Sequence, residues 1–232
     1  MMNLPKITST IHTYTTLEGQ KILFAQFTGG QEKVLLEAKE SGDDDLIVQT
    51  VIEVLKSIVR KGDVEKLPTF EVENLLLRSR IVSVGSDVEV VIKDPETEEK
   101  INIHIDLSKA ELTKSRPDKR VLLGQSEDGS GEVFLNLKYP TFSDLADYKK
   151  VSDDAKIRLC LDNIQVGDKY TDISEVPDKE LTAWLLTLEK STLKKLGEFI
   201  QNIPRLELPL TYHLKDGTEK TIILKDFKDF FM

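Results

Sequence analysis

The sequence predicts an α+β fold in which β-hairpins flank helical segments, and three observations carry this. Apolar residues alternate with polar ones in paired stretches, apolar residues at helical spacing fill the stretches between them, and the order hairpin, helices, hairpin occurs twice. After a short lead over residues 1–6, Ile7 to Thr16 and Gln20 to Phe27 are rich in β-branched and aromatic residues. Leu17-Glu18-Gly19 separates them, so the chain opens with a hairpin. From Gln31 to Lys39 the pattern turns helical, with Val34, Leu35 and Ala38 on one side, and Ser41-Gly42 closes it. Asp43-Asp44-Asp45 supplies N-cap carboxylates for a second helix carrying Val48, Val51, Ile52, Leu55, Ile58 and Val59, which Lys61-Gly62-Asp63 ends. Thr69 is placed to cap a third helix with Phe70, Val72, Leu75, Leu76 and Ile81, stopped by Ser83-Val84-Gly85-Ser86. Val88, Val90 and Ile92 then alternate, as do Ile101, Ile103, Ile105 and Leu107, and Asp94-Pro95-Glu96-Thr97 supplies the turn of a half-buried hairpin.

Residues 108–131 are polar and turn-rich, with a basic stretch at Lys114, Arg116, Lys119 and Arg120 and a weak strand over Arg120 to Leu123. Beyond them the expectation is a strand over Glu132 to Tyr139, short helices near Ser143 to Lys149 and Asp153 to Ile164, and two amphipathic helices. Leu181, Trp184, Leu185 and Leu188 form one stripe, and Leu193, Leu196, Ile200 and Ile203 the other. Leu206, Leu208, Leu210, Tyr212 and Leu214 alternate strictly before Asp216-Gly217, the strongest hairpin signal in the chain. The expected organisation is therefore a first half over 1–110, a linker with a weak strand over 111–131, and a second half over 132–232. Gly62-Asp63 echoes Gly167-Asp168, Pro68 with Leu75-Leu76 echoes Pro177 with Leu185-Leu186, and Lys93-Asp94 echoes Lys215-Asp216. These echoes suggest an internal duplication.

A chain of 232 residues can bury a core without disulfides or metal. Its net charge of −9 repels polyphosphate, so nucleic acid is not the expected ligand. The single cysteine, the lack of a secretory signal pattern and the lack of a run of eighteen apolar residues read as cytosolic, with no membrane partner. His12, His104 and His213 fall on expected strands without metal-ligand spacing, and only His104 with Asp106 share a face. Cys160 sits between leucines and reads as a small buried hydrophobe rather than a catalytic thiol. Gly124 to Gly131 lacks the Lys-Ser/Thr of a phosphate loop, and the 43–45 acidic run lacks the alternation of a calcium loop. The basic stretch has no interleaved aromatics and reads as a solvated linker rather than a polyanion contact. No catalytic, cofactor-binding or metal residues are expected. A cytosolic enzyme with an unrecognised site is the alternative, and a cleft holding His104 and Asp106 would favour it.

Two features point to association instead. Phe227, Phe230 and Phe231 crowd the last residues, where polar residues are the norm, and either dock on the final hairpin or insert into a partner. The hairpin edges are templates for strand addition, with Pro209 placed to blunt one of them.

Gly19-Gln-Lys-Ile-Leu-Phe-Ala-Gln-Phe27, Gln31-Glu-Lys-Val-Leu-Leu-Glu-Ala-Lys-Glu-Ser41, Leu67-Pro-Thr-Phe-Glu-Val-Glu-Asn-Leu-Leu-Leu-Arg-Ser-Arg80 and Ser83-Val84-Gly85 occur in that order. Phe199-Ile-Gln-Asn-Ile-Pro204 and the closing Asp229-Phe-Phe-Met232 follow. In these words the chain resembles the baseplate hub assembly protein family of T-even-type contractile-tailed phages. It departs at Ala25-Gln26, where the family pattern carries an arginine, and matches little over residues 108–175. The resemblance implies a non-enzymatic protein made in the infected bacterial cytoplasm, needed to build the central baseplate hub beside the tape-measure and hub spike proteins. The runner-up is a dedicated chaperone of the tape-measure or a hub protein that is absent from the virion. No catalytic residue is carried over, so any site is an interaction surface. Its matching positions are Glu32, Leu35 and Glu37 in the first helix, Phe70, Glu73, Leu77 and Arg80 in the third, and Ser83, Val84 and Gly85 after it. Of these, Leu35 and Leu77 are expected in the core, Gly85 is expected to end the helix at positive φ, and Glu73 and Arg80, seven apart, share a face. Whether the protein is oligomeric stays open at this point.

Overall fold

The computed structural model describes residues 8–94, 96–141, 144 and 157–225, without the side chain of Asp44. It is an α+β protein built of small antiparallel sheets and helices, as the patterning predicts. Apart from Asp144, the expected helix over 143–149 lies outside the described residues, as do the three terminal phenylalanines Phe227, Phe230 and Phe231. The chain divides into two compact units, one comprising the residues up to Thr113 together with those from Arg205 onward, the other Lys114–Pro204.

In the first unit β1 (Ile11–Thr15) and β2 (Lys21–Ala25) form the opening hairpin, and β3 (Val59–Lys61) adds to β2 to complete a sheet of order β1-β2-β3. Helix α1 (Gly29–Ser41) starts with a capping box, Thr28 and Gln31 each bonding the other's backbone N–H, and ends at Gly42 in the left-handed region. Asp43 caps α2 (Asp44–Ile58), accepting from the N–H groups of Asp45 and Leu46. Val59 was expected to continue that helix. Instead α2 stops at Ile58 and Val59 pairs with Phe24, because its backbone groups complete the sheet edge on β2. Gly62 follows at φ 118°, against the side chain of Ile22, where no larger residue fits.

The third helix, α3 (Thr69–Val84), is the centre of this unit. Pro68 rather than Thr69 occupies its N-cap, so the first turn has no side-chain cap and rests on the preset φ of proline. Phe70, Glu71, Val72, Asn74, Leu75, Leu76, Leu77 and Ser79 are all buried. At 100° per residue these positions surround the helix, so α3 has no solvent face over its first three turns. One side of it packs on two hairpins, β4 (Asp87–Lys93) with β5 (Lys100–Asp106) and β11 (Leu206–His213) with β12 (Glu219–Leu224). Leu77, Val90, Ile105, Leu206, Leu208 and Leu224 meet there. A short strand, β6 (Glu111–Leu112), unseen in the sequence, pairs with Leu206 and Glu207 and ties the C-terminal hairpin into this unit. That hairpin therefore belongs with the N-terminal elements, whereas the sequence reading grouped it with 132–232. Pro209 lies just past the stretch of β11 that β6 covers.

The second unit is a four-stranded antiparallel sheet of order β10-β9-β8-β7 with two helices. Strands β7 (Arg120–Gln125) and β8 (Glu132–Leu137) fall where expected, β7 running two residues beyond the weak strand read over Arg120 to Leu123. The helix expected over 153–164 ends before Cys160, and β9 (Leu161–Val166) pairs instead with β8 and with β10 (Lys169–Asp172) across Gly167-Asp168. Pairing on both edges overrides the apolar period there. Helix α4 (Asp178–Leu185) starts at Pro177 and buries Leu181, and α5 (Lys190–Gln201) buries Thr192, Leu196 and Phe199. Strands β1–β3 and β7–β9 share a meander order, and each stretch then runs through helix to a closing hairpin. Superposing the two stretches would test the duplication that the sequence echoes suggest.

Candidate interaction surface

The family-like words of the first unit meet at one corner, where the chain leaves β2, enters α1 and reaches the end of α3, whereas Phe199 to Pro204 lies in the second unit and Asp229 to Met232 outside the described residues. Ser83 on the last turn of α3 donates to the Ser79 carbonyl at 2.7 Å and accepts from the Phe27 N–H at 3.0 Å. The Gln26 amide donates to the Val82 carbonyl, so Gln26, in the Ala25-Gln26 stretch where the family pattern carries an arginine, bonds the carbonyl end of the helix. Gly85 then closes α3 with φ 119°, its N–H bonding the Ile81 carbonyl at 3.0 Å. The positive φ expected at Gly85 is present, and a Cβ there would meet no neighbour, so the backbone conformation alone calls for glycine. Gln31 of the capping box also reaches the Ser57 hydroxyl of α2, at 2.6 Å.

On this corner Glu32 sits half-buried in the first turn of α1, where a carboxylate is favoured by the helix dipole. Arg80 is half-buried on α3, and its Nη1 has no hydrogen-bond acceptor among the described residues. Burial pushes the guanidinium below its ordinary range, and the negative charge of Glu32 works against that push. Glu73 is half-buried on α3 and engaged within the chain. Ser83 is spent on the internal bonds described, while Val84 is 54% exposed and Gly85 is exposed beside it. Leu77 is fully buried, as expected of a core residue, and Leu35 is half-buried.

Two buried polar clusters hold the first unit together, and neither is visible in the alternation of apolar residues. In the first, the Tyr14 hydroxyl donates to the buried Glu71 carboxylate, which also accepts the Leu17 N–H at 2.7 Å. Asn74 donates to the Tyr14 oxygen at 3.0 Å, and Arg78 donates to Asn74 at 3.2 Å and to the Ser108 and Ala110 carbonyls. Burial and the carboxylate of Glu71 push the Tyr14 phenol far above its ordinary range. The signal was present as Glu71, Asn74 and Arg78 at helical spacing on a leucine-rich helix. In the second, Asp94 has 0% exposure and accepts from the Tyr212 hydroxyl at 2.6 Å, the Thr97 N–H at 2.8 Å and the Lys220 ammonium at 3.2 Å. The Tyr212 hydroxyl first, then the Thr97 N–H and the Lys220 cation, hold this carboxyl well below the usual carboxylate range. It clamps the β4–β5 turn onto the last hairpin.

His104 and His213 are exposed and face Glu89 at 3.0 Å and Glu219 at 3.3 Å as cross-strand pairs. His12 lies beside Phe24, ring centroids 5.6 Å apart. Asp106 accepts from the Ser108 N–H and hydroxyl, and these bonds lower its pKa. Cys160 is buried, and burial pushes its thiol up to about 12. Among the described residues no three His, Cys, Asp or Glu side chains group to hold a metal ion, and no helix is long and apolar enough to cross a membrane.

Comparison with known proteins gives a near full-length result. A family model described as T4 bacteriophage base plate protein matches residues 8–232. No curated protein and no solved structure matches the chain.

Proposed function

Because this chain belongs to the family of T4 bacteriophage base plate proteins, we propose that it builds the central hub of a contractile-tail baseplate as a non-enzymatic protein acting through protein contacts. The observation that carries this reading is the extent of the match, which takes in both units. Its partners on this reading are other baseplate hub proteins or the tape-measure protein, met in the host cytoplasm during assembly. Glu32, Glu73, Arg80, Val84 and the Phe227, Phe230 and Phe231 tail are the contact residues proposed, with Ser83 and Gly85 setting the shape of the corner. A non-enzymatic role fits a thiol held protonated by burial and histidines spent on exposed cross-strand pairs.

Mass spectrometry of purified virions beside a pull-down of the tagged protein from infected cells tests the proposal. Presence in the particle at a small integer copy number makes it a hub subunit. Absence from virions, with hub or tape-measure protein in the pull-down, makes it an assembly chaperone instead. Recovery of no tail protein by either route contradicts both.

A further inference from the structure

The basic stretch that reads as a solvated linker in the sequence lines a cleft of about 590 Å³ in the second unit. Arg116 approaches it from the segment leading into β7, Arg120 from the start of β7 and Lys195 from α5. These cations gather in a chain whose net charge is −9. Asp118 and Glu198 also line the cleft, two acids against three cations. Asp118 accepts the Arg120 N–H at 3.0 Å, and Glu198 lies 3.6 Å from Lys194 one turn away. Lys195 has no hydrogen-bond or ion-pair partner among the described residues, and the Arg116 guanidinium bonds only the Ser115 carbonyl, at 3.0 Å. Beside these free cations Leu122 is exposed on β7, an outer strand whose far edge no strand covers among the described residues.

We propose that this cleft seats an acidic, partly apolar extended segment of a neighbouring protein. The inference rests on the reading of the chain as a protein that works by protein contacts, and it names the chemistry of one partner. Carboxylates meet Arg116 and Lys195, an apolar side chain covers Leu122, and an extended backbone suits an open strand edge. Nucleic acid fits less well, because the rings nearby are taken. Phe199 is buried and stacked on Tyr139 at 5.8 Å, and the Arg120 guanidinium covers Phe134 at 3.7 Å, so no free face is left for a base.

The test uses the full chain with Lys195→Glu and Arg116→Glu, both at exposed positions, and Lys66→Glu in the first unit as control. The probe is a fluorescein-labelled peptide of alternating Glu and Leu, compared with a Lys and Leu peptide and with oligothymidylate. The acidic peptide is expected to bind best, each cleft reversal to weaken it about tenfold or more, and Lys66→Glu to leave it unchanged. Binding that ignores the cleft reversals, no binding of the acidic peptide, or tighter binding of the oligonucleotide overturns the proposal. The same variants are then carried into infected cells. Normal baseplate assembly with both cleft reversals contradicts the cleft and leaves the hub reading standing. A wild-type chain that associates with no baseplate protein contradicts the hub reading itself.

Discussion

The two units solve the burial problem in different ways. The first wraps a helix, α3, on every side and fixes its polar residues in closed clusters, whereas the second lays two short amphipathic helices beside a sheet and leaves much of both exposed. Leu186 at the end of α4 is 80% exposed, and Leu193 on α5 is exposed as well. A helix without a solvent face offers a partner only isolated half-buried side chains such as Glu73 and Arg80, so the first unit presents mainly its ends and corners. The second unit presents whole faces.

The largest effect that sharpens this contrast is expected from Leu76→Ala. Leu76 is fully buried in α3, and its truncation should cost about 2–5 kcal/mol in urea unfolding, because packing on all sides prevents collapse of the cavity. A cost below about 1 kcal/mol would mean that α3 is not the enclosed centre described. Tyr14→Phe comes next. Removing its hydroxyl takes a donor from the buried Glu71 carboxylate and an acceptor from Asn74, a loss of about 1–3 kcal/mol by the same assay.

A smaller effect, present at neutral pH and fading in acid, is expected from Asp94→Asn. The folded-state pKa of Asp94 is depressed, so its contribution is present above the ordinary carboxylate pKa of about 4 and is lost as pH falls toward the folded value. Thermal unfolding from pH 7 to pH 2 should show the wild type losing stability through that window, and Asp94→Asn should start lower and lose less. Parallel curves for the two proteins would exclude the clamp as a source of the acid sensitivity. The smallest effect is reserved for the second unit's surface. Leu186→Ser should change stability by no more than about 0.5 kcal/mol, and a larger loss would show that this face is already covered within the chain.

Much of this contrast was legible in the sequence, and the illegible part has a common cause. Local chemistry marked the Asp43 cap, the Gly42 and Gly85 helix ends, the alternation of β4 and β5 and the Asp216-Gly217 turn, and each stands where it was read. Strands β3 and β9 were read as helix because Val59 and Leu161 to Ile164 continue an apolar period, and only their pairing partners make them strands. The same holds for β6, two residues long and defined entirely by β11. The polar clusters escaped because Tyr14 and Glu71, or Asp94 and Tyr212, are far apart in the chain and ordinary in their local settings. Ser83 and Arg80 were found through the family-like words, but their geometry, one bonded into the corner and the other with an unsatisfied nitrogen, belongs to the fold.

Hydrogen–deuterium exchange of the protein, free and assembled in purified baseplates or in the complex recovered from infected cells, tests the division of labour directly. The account predicts that α3 exchanges slowly in both states, while β7, α5 and the corner at Val84 gain protection on assembly. Added protection confined to the first unit's hairpins, with β7 and α5 unchanged, would contradict it.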